Sequence, residues 1–144
     1  MIAVDTNILI HAHRSDSPWH SKAASCVKDL AEGNAGWTVP WPCVHEFLSK
    51  VTHPRIFSPP SAAKTAFAFL EALLASPTLS LLSEAPDHLT RLSELVRAGR
   101  IDGARVHDAR IAAICLSQGV SELWTADRDF SRFPALRVRN PLVE

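Results

Sequence analysis

The sequence predicts an α/β fold of three layers, with a central, mostly parallel sheet of four or five strands between layers of helices. Short apolar runs alternate with helical segments of ten or more residues along the whole chain. The composition, 47% hydrophobic and 21% charged, is that of a globular protein with a hydrophobic core. No repeat, linker or low-complexity tract divides the chain, so we treat residues 1–144 as a single domain.

The first half of the chain predicts two strands and three helices, each bounded by a proline or a glycine. Pro18 opens the second helix and Gly33 ends it. Pro40 stops the second strand, and the third helix ends before Pro54 because the residue preceding a proline is biased away from helical geometry. The predicted elements are a strand at 1–4, a helix at 7–13, a helix at 18–32, a strand at 37–39 and a helix at 43–53.

The second half begins with the most strongly helical segment, residues 58–76, which starts with prolines and a serine cap. Pro77 breaks this helix, and Gly99 and Gly119 end the two helices that follow. The remaining predicted elements are a strand at 78–82, a helix at 87–98, a helix at 106–119, a strand at 122–125 and a strand at 136–138.

Charge and cysteine content narrow the class of protein. Lys plus Arg equals Asp plus Glu at 15 each, so no gross charge indicates a nucleic-acid or membrane partner. The three cysteines form no CxxC pair and are interpreted as buried small hydrophobes in a reducing compartment. The N-terminus lacks the basic region of a signal peptide, and the most apolar segment, 65–82, contains Glu71 and Pro77. We expect a soluble, cytoplasmic protein without a membrane span.

Two acidic residues come directly after predicted buried strands. Asp5 follows the first strand, and Asp127 follows "ELWTA" near the end of the chain. In a parallel sheet the carboxyl ends of the strands share one edge, where ligands bind. Asp5 and Asp127 are therefore expected to converge. For Asp5 alone, a simple helix-capping role stays open, since Asp is a preferred N-cap residue.

Two further acids lie on predicted helices. Asp108 shares the helical spacing of Ile111, Ala112 and Cys115, which places its carboxylate on the apolar stripe that faces the sheet. Glu46 lies among apolar positions of the helix at 43–53. Capping for Asp108 and a solvated flank for Glu46 stay open as alternatives when each residue is taken alone.

Carboxylates that converge on one crevice repel one another unless a cation is present, so some of these acids should have raised pKa values. Ligation by oxygen alone selects a hard cation, Mg²⁺ or Mn²⁺. Such a site suits metal-assisted displacement at phosphorus, in which the cation activates water and neutralises charge on the phosphate.

Four short motifs of the sequence resemble those of a known protein family. The stretches "VDTNILI", "VHEFL", "VHDARIAA" and "WTADRDF", in this order and spacing, are similar to the pattern of PIN-domain proteins. The length and the "THPRIF" stretch resemble the VapC-type toxins of bacterial toxin–antitoxin pairs. The resemblance implies a PIN-like fold and a Mg²⁺- or Mn²⁺-dependent endoribonuclease that acts on RNA. It also implies inhibition by a small VapB-type antitoxin and a homodimer.

The resemblance also implies roles for individual residues. The acids of the family fall on Asp5, Glu46, Asp108 and Asp127. Its small polar residues, which orient an acid or a water, fall on Thr6 or Asn7 and on Thr125. Asp129 matches an extra acid that only some members have.

Arginine and tryptophan residues near these motifs are further candidates. Five arginines lie near the acidic motifs in the sequence and are candidates for contact with phosphates, with ordinary surface charge as the alternative. They are Arg14, Arg110 and Arg128, together with Arg55 and Arg132. Trp37 and Trp124 fall in predicted strands and are expected in the core. Trp19 and Trp41 are candidates for contact with RNA or a partner.

Several other classes of protein fit the sequence less well. "HEFLS" lacks the second histidine of a zinc-protease motif, and the absence of lysine after Lys64 removes haloacid-dehalogenase phosphatases and response-regulator receivers. A helical arch and further acids, which a DNA flap nuclease normally has, find little room in this chain. Two alternatives stay open: a catalytically silent PIN-like module that binds metal or RNA, and a metal-free ribonuclease that uses two of the seven histidines.

Overall fold

A five-stranded, fully parallel sheet forms the centre of the protein in a computed structural model that describes residues 1–144. The strands are β1 (Ile2–Val4), β2 (Trp37–Pro40), β3 (Leu79–Leu82), β4 (Glu122–Trp124) and β5 (Val138–Arg139). The helices are α1 (Thr6–His13), α2 (His20–Glu32), α3 (Trp41–Val51), α4 (Ala63–Leu74), α5 (His88–Gly99) and α6 (Val106–Ser117). Short 3₁₀ turns lie at Gly103–Arg105, Arg128–Arg132 and Pro141–Val143.

The strand order, β3-β2-β1-β4-β5, reverses direction at β1. From β1 the chain moves outward through β2 to β3, and it then crosses back to β4 and continues to β5. Because parallel crossovers are right-handed, α1 to α4 lie on one face of the sheet, and α5 and α6 lie on the other. This arrangement confirms the predicted α/β layering. It also places a topological switch point between β1 and β4, where ligands bind in open α/β sheets.

The hydrophobic core follows from the apolar runs of the strands and from one face of each packed helix. Trp37, Phe47, Phe130 and Phe133 are its largest fully buried side chains. β1 and β4 pair in register, with Val4 opposite the Trp124 position, so both strands end at the same level of the sheet. The residues that follow the two strands are therefore neighbours.

The structure differs from the sequence prediction at several element boundaries, most of all in the fourth helix, which begins at Ala63 rather than at residue 58. The last strand lies at Val138–Arg139 rather than at 136–138, because the N–H of Leu136 donates to the carbonyl of Phe133 and closes a turn. The third helix begins at Trp41 because Pro42 is tolerated in a first helical turn.

The predicted serine cap of the fourth helix is wrong. Ala62 occupies the cap position, and the hydroxyl of Ser61 instead bonds the side chains of His13 and Arg14. The sequence gives no sign of this long-range competition for the hydroxyl.

The expected burial is confirmed for the four tryptophans and for two of the three cysteines, whereas Cys26 is less buried than expected. Trp37 and Trp124 are buried, while Trp19 and Trp41 are exposed. Cys43 and Cys115 are buried, Cys26 is half-buried, and all three thiols are free. None of the six helices is long and apolar enough to cross a membrane.

Candidate active site

Asp5 lies directly after β1 and is almost completely buried, with 4% of its surface exposed. It caps α1, since its Oδ1 accepts a hydrogen bond from the backbone N–H of Thr6 at 2.8 Å. Its other donors are side chains from three parts of the chain, namely Asn7 Nδ2 at 3.1 Å, Thr125 Oγ1 at 2.7 Å and Cys43 Sγ at 3.5 Å. Asp5 is therefore a helix cap and, at the same time, the centre of a polar network.

Asn7 and Thr125 hold the ends of β1 and β4 together. Asn7 Nδ2 donates to Thr125 Oγ1 at 3.0 Å, and Asn7 Oδ1 accepts from the backbone N–H of Ala126 at 2.9 Å. Thr125 Oγ1 in turn accepts from the backbone N–H of Asp127 at 3.0 Å. These contacts fix the loop that carries Asp127 relative to the buried Asp5.

A cluster of three carboxylates lies at the same edge of the sheet. Asp108 from the first turn of α6, and Asp127 and Asp129 from the turn after β4, each have a carboxylate oxygen within 4.8 Å of the others. Asp127 caps that turn by accepting from the N–H of Asp129 at 2.9 Å. The structure thus brings the extra acid, Asp129, into direct proximity with two of the principal acids.

Glu46 stands at the side of this cluster rather than within it. It forms an ion pair with Lys50 at 2.8 Å along α3, with 37% of its side chain exposed. It also lines a cleft together with Asp108, and its charge raises the pKa values of both Asp108 and Asp5. The four acids named from the sequence therefore meet in one region, although Asp5 and Glu46 are not members of the close cluster.

The electrostatics of the site agree with converging carboxylates. Burial raises the pKa of Asp5 above its usual value, although the hydrogen bonds from Thr125 and Thr6 work against the increase. Burial, followed by the charges of Asp127, Asp5, Glu46 and Asp129, raises the pKa of Asp108 to about 6. The pKa values of Asp5 and Asp108 are raised as expected, with burial as the largest single cause and neighbouring negative charge as a further one.

This shift predicts a pH dependence of stability for the metal-free protein. Since the pKa of Asp108 rises from 3.8 when unfolded to about 6 when folded, the carboxyl's contribution to the free energy of unfolding falls as pH rises through that interval. The expected loss is on the order of 1 kcal/mol, because water screens this half-exposed group. Urea unfolding in EDTA between about pH 4 and pH 7 measures it.

The matched variants for this measurement are Asp108→Asn and Asp102→Asn. We expect Asp108→Asn to reduce the fall in the free energy of unfolding with rising pH. Asp102 is exposed, and we expect Asp102→Asn to leave that fall unchanged. Parallel pH curves for the wild type and Asp108→Asn would show that the carboxyl is not held in a destabilised ionised form.

The donor set of the cluster fits a divalent hard cation. Three carboxylate oxygens from Asp108, Asp127 and Asp129 stand within 4.8 Å of one another, with no thiol or imidazole among them. Oxygen ligands of this kind suit Mg²⁺ or Mn²⁺ rather than zinc. A cation there would also relieve the repulsion that raises the pKa of Asp108.

The three predicted phosphate-binding arginines lie in different places. Arg110 lines the same cleft as Glu46 and Asp108, and Arg128 is exposed beside Asp127. Arg14 is not placed with the acids, because Asp16 binds its guanidinium at 2.9 and 2.7 Å and Phe57 packs beneath it.

The remaining two predicted arginines show no link to the acids either. Arg132 donates to the carbonyl of Gly99 at 3.3 Å, and Arg55 is exposed.

Sequence reasoning misses three residues that contact the acids of the site or Arg110. Cys43 donates to Asp5, Arg105 lies 3.6 Å from the carboxylate of Asp129, and Glu84 binds Arg110. No motif marks these residues, since each contact joins distant parts of the chain or depends on how a turn folds back.

Comparison with known proteins agrees with this geometry. The sequence model of the PIN domain matches residues 2–136. The ribonuclease VapC31 of Mycobacterium tuberculosis is 36% identical over 143 residues, which cover 99% of this chain and 100% of that protein.

Two solved structures show the same fold. One is VapBC2 from Rickettsia felis, bound to a DNA fragment from its promoter, with a TM-score of 0.68, 21% identity and coverage of 97% of this chain and 98% of that one. The other is a toxin–antitoxin complex from Klebsiella pneumoniae, with a TM-score of 0.63, 19% identity and coverage of 98% of each chain. With its acids at the carboxyl edge of a parallel sheet and these relatives along its whole length, the chain belongs to the PIN-domain family, in the branch of the VapC ribonucleases.

Proposed function

We propose that this protein is a Mg²⁺- or Mn²⁺-dependent endoribonuclease, the toxin of a toxin–antitoxin pair, and that residues 1–144 act as a single PIN domain. The observation that carries the proposal is the convergence of Asp108, Asp127 and Asp129 within 4.8 Å beside the buried Asp5. Relatives named as ribonucleases, similar over nearly the whole chain, support RNA as the substrate.

In this proposal the catalytic acids are Asp5, Glu46, Asp108 and Asp127. Asp108 and Asp127, together with the accessory Asp129, offer the close oxygen set for a cation, and Asp5 and Glu46 complete the negative field around it. When bound, the cation supplies a nucleophilic water at neutral pH and offsets charge that develops on the phosphate.

The accessory polar residues position the acids. Thr6 and Asn7 donate to Asp5, through the backbone N–H and the side-chain amide respectively. Thr125 donates to Asp5 and accepts from the N–H of Asp127, which sets the separation of these two acids. Arg110 and Arg128 stand close enough to the acids in the fold or the chain to contact the RNA backbone.

The direct test is cleavage of purified total RNA. The proposal predicts fragments with defined ends in Mn²⁺ and none when EDTA is present. Mapping the ends identifies the cleaved sequence. Equal cleavage with and without EDTA would contradict the metal-dependent mechanism, and intact RNA under both conditions would contradict the nuclease function.

The protein is also proposed to form a homodimer and to bind a VapB-type antitoxin. Similar structures are described as VapBC assemblies or as a toxin–antitoxin complex. On this chain, α4 leaves Phe67 and Leu74 half exposed, at 50% and 54% of their surfaces. Both line an apolar groove of about 150 Å³ with Trp41 at its side. An exposed apolar groove of this kind is typical of a protein-binding surface.

This proposal predicts that Phe67→Asp weakens association with the dimer mate or the antitoxin by at least about tenfold, because a charge replaces an exposed apolar side chain that the complex would bury. Small-angle scattering and co-purification with the protein encoded by the neighbouring small gene measure the effect. Leu89→Asp is the control, since Leu89 is 79% exposed on α5. A monomer that forms no complex on co-expression would contradict the proposal.

One observation favours a second candidate function. His45 and His107 line the same cleft as Glu46 and Asp108. Two histidines at one site can act as general acid and base in a ribonuclease that uses the 2′-hydroxyl of RNA as its nucleophile. The two mechanisms leave different ends on the product.

A further inference from the structure

A polar cleft separates the first half of α3 from the beginning of α6. Its volume is about 400 Å³, and its lining includes Glu46 and Asp108. Three other lining residues are His45, His107 and Arg110. A volume of this size lies in the range of about 300–1,000 Å³ that is typical of pockets for small ligands. Since two of the proposed acids form part of its wall, a group that occupies the cleft lies next to the reacting phosphate.

Arg110 is held in a fixed orientation at this cleft. Its Nε and its Nη2 each lie 2.5 Å from Oε1 of Glu84. Its Nη1 makes no hydrogen bond within the protein, and 39% of the side chain is exposed. A guanidinium that is anchored on one edge presents its other edge as a ready donor to a phosphate oxygen. Glu84 is therefore a positioning residue for Arg110.

His45 offers a flat surface on the other wall. Its ring stacks on that of Trp41, one helical turn earlier on α3, with centroids 6.0 Å apart and planes inclined by 27°. Both residues are exposed, and His45 lines the cleft. An aromatic ring supported from behind in this way is typical of a platform for an unpaired base.

We propose that this cleft binds the ribonucleotide that adjoins the scissile phosphate. The base packs against His45, a phosphate oxygen accepts from Arg110, and His107 lies beside the same nucleotide. A single-stranded RNA fits better than a peptide, because the lining combines a stacking ring and an anchored guanidinium with Asp108, a member of the proposed cation site. This inference deepens the proposed nuclease function and rests on it.

The test separates binding from chemistry with a fluorescent RNA oligonucleotide that spans the mapped cut. In Mn²⁺ we expect His45→Ala and Arg110→Ala each to raise KM about tenfold while kcat changes little. Glu84→Gln should raise KM as well, and it should add nothing in the Arg110→Ala background. The matched controls are His53→Ala and Arg97→Ala, which alter exposed residues outside the cleft.

An abasic nucleotide supplies the second arm of the test. One abasic position beside the cut should raise KM for the wild type about tenfold and for His45→Ala very little, because the lost stack is the same one. The inference would be overturned if His45→Ala and Arg110→Ala both left KM unchanged, or if the abasic position raised KM as much in His45→Ala as in the wild type. In either case cleavage by the wild type would leave the nuclease function intact. A wild type that fails to cleave RNA overturns the nuclease function. Fluorescence anisotropy of the labelled RNA in Mn²⁺ then shows whether the cleft binds RNA. Weaker RNA binding by both His45→Ala and Arg110→Ala would then support the cleft as a nucleotide-binding site alone, whereas equal or absent binding would overturn that role as well.

Discussion

Asp108→Asn is expected to reduce Mn²⁺-dependent cleavage of RNA by about a thousandfold. Asp108 belongs to the close carboxylate cluster, and its raised pKa of about 6 reflects both burial and the negative charge around it. A bound cation contributes several kcal/mol to catalysis, and each loss of about 1.4 kcal/mol reduces the rate tenfold. Asparagine has nearly the same shape but carries no charge, so the change tests charge rather than packing.

Initial rates on the mapped oligonucleotide at pH 7.5 or so measure the loss at a pH where the carboxylate is ionised. Asp102→Asn is the control, because Asp102 is exposed and lies six residues earlier on the same segment. Activity within about tenfold of the wild type in Asp108→Asn would remove Asp108 from the catalytic acids.

Asp5→Ala is expected to lower the free energy of unfolding by about 2–3 kcal/mol in EDTA, because it leaves buried donors without an acceptor. The buried donors that lose their acceptor are Thr6 N–H, Thr125 Oγ1 and Cys43 Sγ, while the half-buried Asn7 Nδ2 keeps Thr125 Oγ1 as an acceptor. Loss of a helix cap alone costs about 0.5–2 kcal/mol. For a chain of this length the melting temperature should fall by roughly 5–10 °C.

The same variant distinguishes a helix cap from a member of the metal site. At a free Mn²⁺ concentration about a hundred times the Kd, the wild type should gain about 2.7 kcal/mol of stability, because the cation binds only the folded state. Asp5→Ala should gain much less and should not cleave RNA. A variant that keeps the full gain from Mn²⁺ and still cleaves RNA would leave Asp5 with a capping role alone.

The sequence predicts the fold well because its signals are local. Pro18, Gly33 and Pro54 bound elements near the places where the structure begins or ends them, and strands that alternate with helices require a parallel sheet. Convergence of Asp5 and Asp127 then follows from topology, since both residues come directly after strands that pair in register.

The parts that sequence reasoning misses depend on where distant side chains meet. Ser61 does not cap its helix because His13 and Arg14 compete for its hydroxyl. Cys43 is a small apolar residue of the kind expected in a core, yet its thiol donates a hydrogen bond to Asp5. Asp129 matches an acid that only some family members have, and only the fold of its turn brings it within 4.8 Å of Asp108.

The chemistry of the product ends shows most directly whether the acid cluster, with a divalent cation, activates water. Water that attacks in line leaves a 5′-phosphate and a 3′-hydroxyl. Ligation and phosphatase sensitivity of the fragments made in Mn²⁺ identify both ends, and we expect a 5′-phosphate on every downstream fragment. A 2′,3′-cyclic phosphate on the upstream fragments would contradict it, because the 2′-hydroxyl would then be the nucleophile and the histidines His45 and His107 would replace the acids at the centre of the mechanism.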